Sequence, residues 1–335
     1  MTSAIPPPRI LWLRTLARVA EEPDAADGPA ARAFLGALTR RMAHLHGRAG
    51  LPRSLACIQG AAVARFLCYN ITGQTVKHCA TRYSNCEIAL SHDGTTVFAI
   101  GDQLDPNVYA YRAADGRLLR AVYIPHISRS SASLVNIAVT QCGSVLLIER
   151  LKNTVLALSS DLELQWRFTE PRPDWPILSG LCASATAAYV AGSLGAVTVL
   201  CLRTRTVLRR FRFSTPMDYP AICYVETNNG ACLAAGCLYK HHNAVILFCG
   251  VTGACLRRIQ LPFRMELHGL CWRASTNELF VSAGGVGREK RGVLAANLDD
   301  DCIRTVLKRK SYGVAVHQDH LYVSRGDRGG MYVVS

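Results

Sequence analysis

The 335-residue sequence has no CxxC pair, although it holds 14 cysteines. Its two nearest cysteines, Cys232 and Cys237, have four residues between them. Zinc ribbons and fingers need tighter paired spacing to bring two thiolates onto one ion. HExxH, GxSxG and glycine-rich phosphate-loop patterns are also missing, so the sequence carries no zincin, serine-hydrolase or nucleotide-loop signature. Aromatic residues are scarce at 7%, which argues against a base-stacking platform. Acids are in short supply too: 24 Asp and Glu stand against 38 Lys and Arg, a net charge of +14. Such a balance favours anionic partners.

The N-terminal 20 residues contain no acid, and Arg9, Arg14 and Arg18 break their apolar run. That is a poor secretory signal and leaves a transit peptide as the alternative. Without a signal, a disulfide framework is not expected in a chain this long. The cysteines read as reduced, small apolar residues. A cytoplasmic location follows, with mitochondrial or nuclear as alternatives. Residues 175–202 contain no Lys, Arg, Asp or Glu. Hydropathy alone would make them a membrane span. However, Gly180, Ser184, Gly192, Ser193 and Gly195 divide the stretch into strand-length pieces, so no span is expected.

What the sequence does have is a repeat. An aliphatic residue followed by a small one recurs at Ile88-Ala89, Ile137-Ala138, Leu181-Cys182, Ile222-Cys223, Leu270-Cys271 and Val314-Ala315. The small residues are spaced 49, 44, 41, 48 and 44 apart, and Met42-Ala43 fits as an earlier copy. Each pair precedes a polar turn, two short apolar strands such as Val145–Ile148 and Val155–Leu158, a second turn, and an arginine-rich strand such as Arg209–Arg212. Four strands per unit at this period predict an all-β fold, a single β-propeller of four-stranded antiparallel blades. The small residue belongs to the strand nearest the axis, where blades converge. The arginines of the fourth strand protect an exposed edge.

Residues 85–310 give five complete blades. The chain end supplies three strands of another, and 54–80 supplies three more, including Thr75–Cys79. Seven blades are therefore favoured, with six as the alternative. Residues 1–38 form an N-terminal segment and 39–335 the propeller. Within the first segment, Arg9–Leu16 is either the strand that closes the ring or part of short N-terminal helices at 8–20 and 30–46, where Phe34, Leu35, Leu38, Met42 and Leu45 fall at helical spacing.

Gly313–Val316 followed by Leu321–Val323 resembles the inner strands of NHL-repeat propellers. The run from Asn107 to Leu119 resembles the YVTN and quinoprotein-like blade pattern, while the WD dipeptide is absent. The resemblance covers about 85–335. It implies a propeller, and a function among protein binding, RNA binding and metal-dependent hydrolase or lyase chemistry.

An enzyme of that kind needs acids and histidines converging on the axis. The inner strands offer Glu87, Asn136, Glu226, His268 and His317, scattered in phase, and the pair His241-His242 reads as a loop. No catalytic residue, metal or cofactor is therefore expected. The cations are better focused. Arg264, Arg288, Lys290, Arg291, Lys308, Arg309, Lys310, Arg325 and Arg328 fall in connections on one face, against Glu266, Glu289 and Asp327, while Asp299–Asp301 falls on the other. The expectation is a non-catalytic interaction scaffold presenting this basic face to an acidic protein, with RNA held through its phosphates as the alternative partner.

Overall fold

A computed structural model describes residues 76–79, 85–101, 107–124, 134–172, 175–217, 220–227, 230–237, 244–262, 266–284, 292–300, 302–309, 311–324 and 331–334. The chain divides into two compact units, Met1–Phe66 and Leu67–Ser335, and all described residues belong to the second.

These residues form six four-stranded antiparallel sheets. The chain enters through β1 (Val76–Cys79). Blade 1 is β2 (Asn85–Leu90), β3 (Thr96–Gly101), β4 (Asn107–Arg112) and β5 (Leu118–Tyr123). Blade 2 is β6 (Leu134–Val139), β7 (Val145–Glu149), β8 (Thr154–Leu158) and β9 (Leu164–Thr169). Blade 3 is β10 (Leu178–Ala183), β11 (Ala187–Gly192), β12 (Ala196–Cys201) and β13 (Val207–Arg212). Blade 4 is β14 (Pro220–Thr227), β15 (Gly230–Cys237), β16 (Ala244–Cys249) and β17 (Cys255–Gln260). Blade 5 is β18 (Glu266–Arg273), β19 (Glu278–Gly284), β20 (Gly292–Asn297) and β21 (Ile303–Leu307). Blade 6 is β22 (Val314–His317), β23 (His320–Ser324) and β24 (Met331–Val334), completed by β1.

The closing strand corrects the sequence reading. Val76–Cys79 does not end a separate first blade; it pairs antiparallel with β24, from Val76↔Val334 to Cys79↔Met331. The physical reason is the open edge left by β24. The chain's own early segment covers it and removes an unpaired ladder. Six blades thus stand among the described residues, the smaller of the two expected counts. Arg9–Leu16 and the helical readings at 8–20 and 30–46 lie outside the described residues.

The six first strands pack in a closed cycle, β2 on β6, β6 on β10, β10 on β14, β14 on β18, β18 on β22 and β22 on β2. All six small residues lie on them, as the repeat predicts. The reason for their size is sharper than crowding at the axis. Successive strand residues face opposite sides of the sheet, so each aliphatic–small pair looks both ways around the ring. Ala89 shares a core cluster with Ile137 of the next blade. Ala138 does so with Leu181, Cys182 with Ile222, Cys223 with Leu270, Cys271 with Val314 and Ala315 with Ile88. One large and one small residue fill each seam. Enlarging the small one overpacks it, at a cost of roughly 1–3 kcal/mol.

The middle strands are apolar because both faces are covered: β7, β8 and β11 are buried along their whole length. This accounts for the uncharged stretch 175–202, which supplies the first three strands of blade 3. No helix among the described residues is long and apolar enough to cross a membrane. Fourth strands face solvent on one side, and β5, β9, β13 and β17 are accordingly mixed in burial.

Candidate functional site

Antiparallel order puts the first-to-second and third-to-fourth strand turns at one end of the strands. The second-to-third and blade-to-blade loops lie at the other. Among the described residues, the two ends differ in their carboxylates. The carboxylates seen to be exposed lie in or beside turns: Asp93, Asp115, Asp161, Glu163, Glu226, Asp299, Asp300 and Asp319. Asp93 is held there by its own turn. The Ser91 hydroxyl donates to it at 2.6 Å and the Thr95 backbone at 3.0 Å, which draws its pKa down to about 2. Asp115 and Asp300 likewise accept backbone N–H bonds from Arg117 and Cys302.

At the loop ends Glu149 and Glu170 are withdrawn. Glu149 is buried and pairs with Lys152 at 2.7 Å. Glu170 is fully buried; it accepts from Arg210 at 2.7 Å and from the Thr198 hydroxyl at 3.1 Å. Glu87, near the start of β2, is half-buried, and desolvation pushes its pKa well above the ordinary carboxylate value. Cations stay outside. Arg172, Arg212, Lys308 and Arg309 are exposed. Arg172, Arg210 and Arg212 place their guanidinium carbons 5.3, 5.9 and 5.4 Å from the ring centre of Trp175.

Of the nine cations singled out in the sequence, Lys308 and Arg309 lie in the described residues, directly after β21 and at the opposite end of that hairpin from Asp299 and Asp300. Arg309 is not a free surface charge. It donates to the Tyr332 hydroxyl at 3.2 Å, and its guanidinium lies 5.2 Å from that ring. Arg264, Arg288, Lys290, Arg291, Lys310, Arg325 and Arg328 lie outside the described residues, as do Asp301 and His241-His242.

The edge-strand arginines do more than block pairing. The twist of each sheet brings a fourth strand against the third-to-fourth turn of the following blade. There Arg120 donates to the Asp161 carbonyl at 2.5 Å, Arg209 to the Gly250 carbonyl at 2.8 Å, and Arg257 to the Leu298 carbonyl. The same bond thus recurs 41 residues on in each case, a rim staple between blades. The sequence reading missed these bonds; the common interval of 41 residues from Arg120, Arg209 and Arg257 is the signal that could have found them.

The axis is a channel of about 620 Å³ lined by the first strands. Its thiols are poor nucleophiles. Burial pushes the Cys223 pKa up to about 12 and those of Cys182 and Cys271 well above the usual value, and chemistry needs the thiolate. Glu226 and His317 line the channel towards the turns, whereas Glu87, Asn136 and His268 stand on the loop-end halves of their strands. The five axial candidates are therefore divided between two ends. His317 also has a packing role: a side chain on Gly94 would run into its ring. Among the described residues, no group of three His, Cys, Asp or Glu side chains is placed to hold a metal ion.

No protein-family model matches this chain, and no curated protein matches it either. Solved structures do. The chain is similar to a streptogramin B lyase structure at TM-score 0.53 and 11% identity, over 78% of this chain and 97% of that one. It is similar to the WD40 repeats of RRP9 at TM-score 0.57 and 11% identity, over 77% and 96%. It is similar to the Kuenenia stuttgartiensis hydrazine synthase at TM-score 0.50 and 17% identity, over 76% of each. All three likenesses establish the β-propeller fold, and enzymes and a repeat domain stand side by side among them, so the fold does not select a function.

Proposed function

We propose that this propeller is a non-catalytic interaction scaffold whose loop ends receive an acidic protein partner. One observation carries the reading. The carboxylates seen to be exposed stand in the turns, while exposed Arg172, Arg212, Lys308 and Arg309 stand at the loop ends, where Glu149 and Glu170 are buried against their own cations. Exposed cations stand in the turns as well, at Arg112, Arg117, Arg203 and Arg205, so it is the carboxylates that differ between the two ends. Like charges gathered over one low-dielectric surface add their fields and raise encounter rates with anions.

The test is affinity purification of the intact chain, with and without nuclease, beside a variant carrying Lys290→Glu, Arg291→Glu, Lys308→Glu and Lys310→Glu. Arg309 is left in place because of its bond to Tyr332. An acidic protein should co-purify with the wild type, survive nuclease and be lost from the variant. Loss on nuclease treatment would make RNA the partner. Full recovery by the variant would return these cations to ordinary solvated surface.

A further inference from the structure

Blade 4 brings two cysteines face to face across neighbouring strands. Cys232 on β15 is the direct register partner of Cys249 on β16. Opposed residues of an antiparallel ladder alternate between hydrogen-bonded pairs and non-hydrogen-bonded pairs, and the second kind brings the two Cα atoms to about 4.5 Å. Two observations put this pair in the second class. The neighbouring pair is hydrogen-bonded, since Gly250 N–H donates to the Ala231 carbonyl at 3.1 Å. Cys249 also spends both backbone groups on the other side of its strand: its N–H donates to Ala254 and its carbonyl accepts from Gly253. Directly opposed side chains share one face of the sheet. A Cα separation of about 4.5 Å falls within the range that a disulfide spans, roughly 4.4–6.8 Å. Both thiols are free in this structure, with Cys232 buried and Cys249 partly exposed.

We propose that Cys232 and Cys249 are a covalent modification site, a thiol pair that closes to a cross-strand disulfide when a small-molecule disulfide such as glutathione disulfide oxidises it. Cys249 is the thiol that oxidant reaches first. Hydrogen bonds from the Thr252 side chain and backbone hold its pKa below the ordinary thiol value. Its thiolate attacks one sulfur of glutathione disulfide; a mixed disulfide forms and one glutathione leaves as thiolate, taking up the proton that Cys249 released. The Cys232 thiol then gives up its proton and attacks the Cys249 sulfur, and the second glutathione leaves with that proton. Two protein thiols are oxidised and one glutathione disulfide is reduced to two glutathiones.

Blade 3 supplies the control. Cys201 ends β12 as Cys249 ends β16, makes the same turn bonds, through its N–H to Thr206 and its carbonyl from Arg205, and is likewise lowered in pKa by Thr204. Its register partner is Ala187. Cys201 therefore has the first step available and lacks the second.

The experiment treats the intact chain with glutathione disulfide and maps its peptides by mass spectrometry. The expected result is a Cys232–Cys249 linked peptide that dithiothreitol resolves, together with a stable glutathione adduct on Cys201. In Cys232→Ala, Cys249 should keep its glutathione as Cys201 does. Alanine already fills the matching position in blade 3, so this variant fits its site. A persistent adduct on wild-type Cys249, linkage to any other cysteine, or an untouched Cys249 would each overturn the proposal.

Discussion

At the turn ends of the strands, Asp93, Asp115 and Asp300 face solvent and accept hydrogen bonds from their own turns. At the loop ends, Glu149 and Glu170 are buried, and Lys152 and Arg210 reach in to meet them. The same residue types thus serve different ends of the same strands. Turn carboxylates satisfy backbone donors in tight hairpins, a local role. Of the loop-end pairs, Glu149–Lys152 lies within blade 2 and Glu170–Arg210 joins blade 2 to blade 3. Among the described residues, the placement of carboxylates follows turn chemistry on one side and pairing with buried cations on the other.

The contrast exists only in a closed ring, so the largest effect should come from opening it. Replacing Val76–Cys79 with Gly-Pro-Gly-Pro removes the ladder to β24. We expect the Tm to fall by more than about 10 °C, since loss of several kcal/mol shifts a unit of this size that far. An unchanged melting curve would show that β1 does not close the ring. Next in size is Glu170→Gln, which leaves Arg210 without its buried carboxylate. Breaking such a pair costs about 3 kcal/mol at the low end of the range, appropriate because Arg210 is still partly exposed; chemical denaturation would measure it, and a change within error would reduce Glu170 to a bystander.

Glu87→Gln should act in the opposite direction. Burial raises the folded-state pKa of Glu87, so its contribution to stability is fully present below about 4.5 and is lost as pH rises through the folded value. The glutamine variant should therefore melt above the wild type at pH 8, with the gap closing as pH falls towards 4. A gap independent of pH would refute the charge argument. Asp93→Ala should give the smallest effect. The lowered pKa of Asp93 means its support is present above 3.8 and is lost as pH falls through about 2. The difference between variant and wild-type Tm should shrink over that interval, and a constant difference would mean the turn bonds do not depend on the charge.

The repeat was legible because the aliphatic–small pair must recur at every seam, and each seam imposes the same large-against-small packing on Ile137 and Ala89 as on Ile88 and Ala315. Residues 175–202 were legible for a related reason: strands covered on both faces have no place for charge. The closing strand was not. Val76–Cys79 is four residues long, and its local sequence is compatible with any outer strand position; only the free edge of β24 assigns it. The rim staples escaped because an arginine on an edge strand looks the same in sequence whether it meets water or the carbonyl of Gly250. Arg309 read only as a partner-facing cation for the same reason, with Tyr332 lying 23 residues further on. The Cys232–Cys249 opposition needed a register, and a spacing of 17 residues does not reveal one.

The most direct measurement of the central claim is equilibrium binding of the co-purified partner to two opposite charge variants over a series of salt concentrations. One variant, the loop-end variant, reverses Lys290, Arg291, Lys308 and Lys310 to Glu, in the sequence segments that follow β19 and β21. The other reverses Asp115, Asp299 and Asp300 to Lys at the turn ends. The account predicts that the loop-end variant loses at least about tenfold in affinity, roughly 1.4 kcal/mol, and most of its salt dependence, while the turn-end variant binds as the wild type does. Equal losses in both, or a loss confined to the turn-end variant, would contradict it.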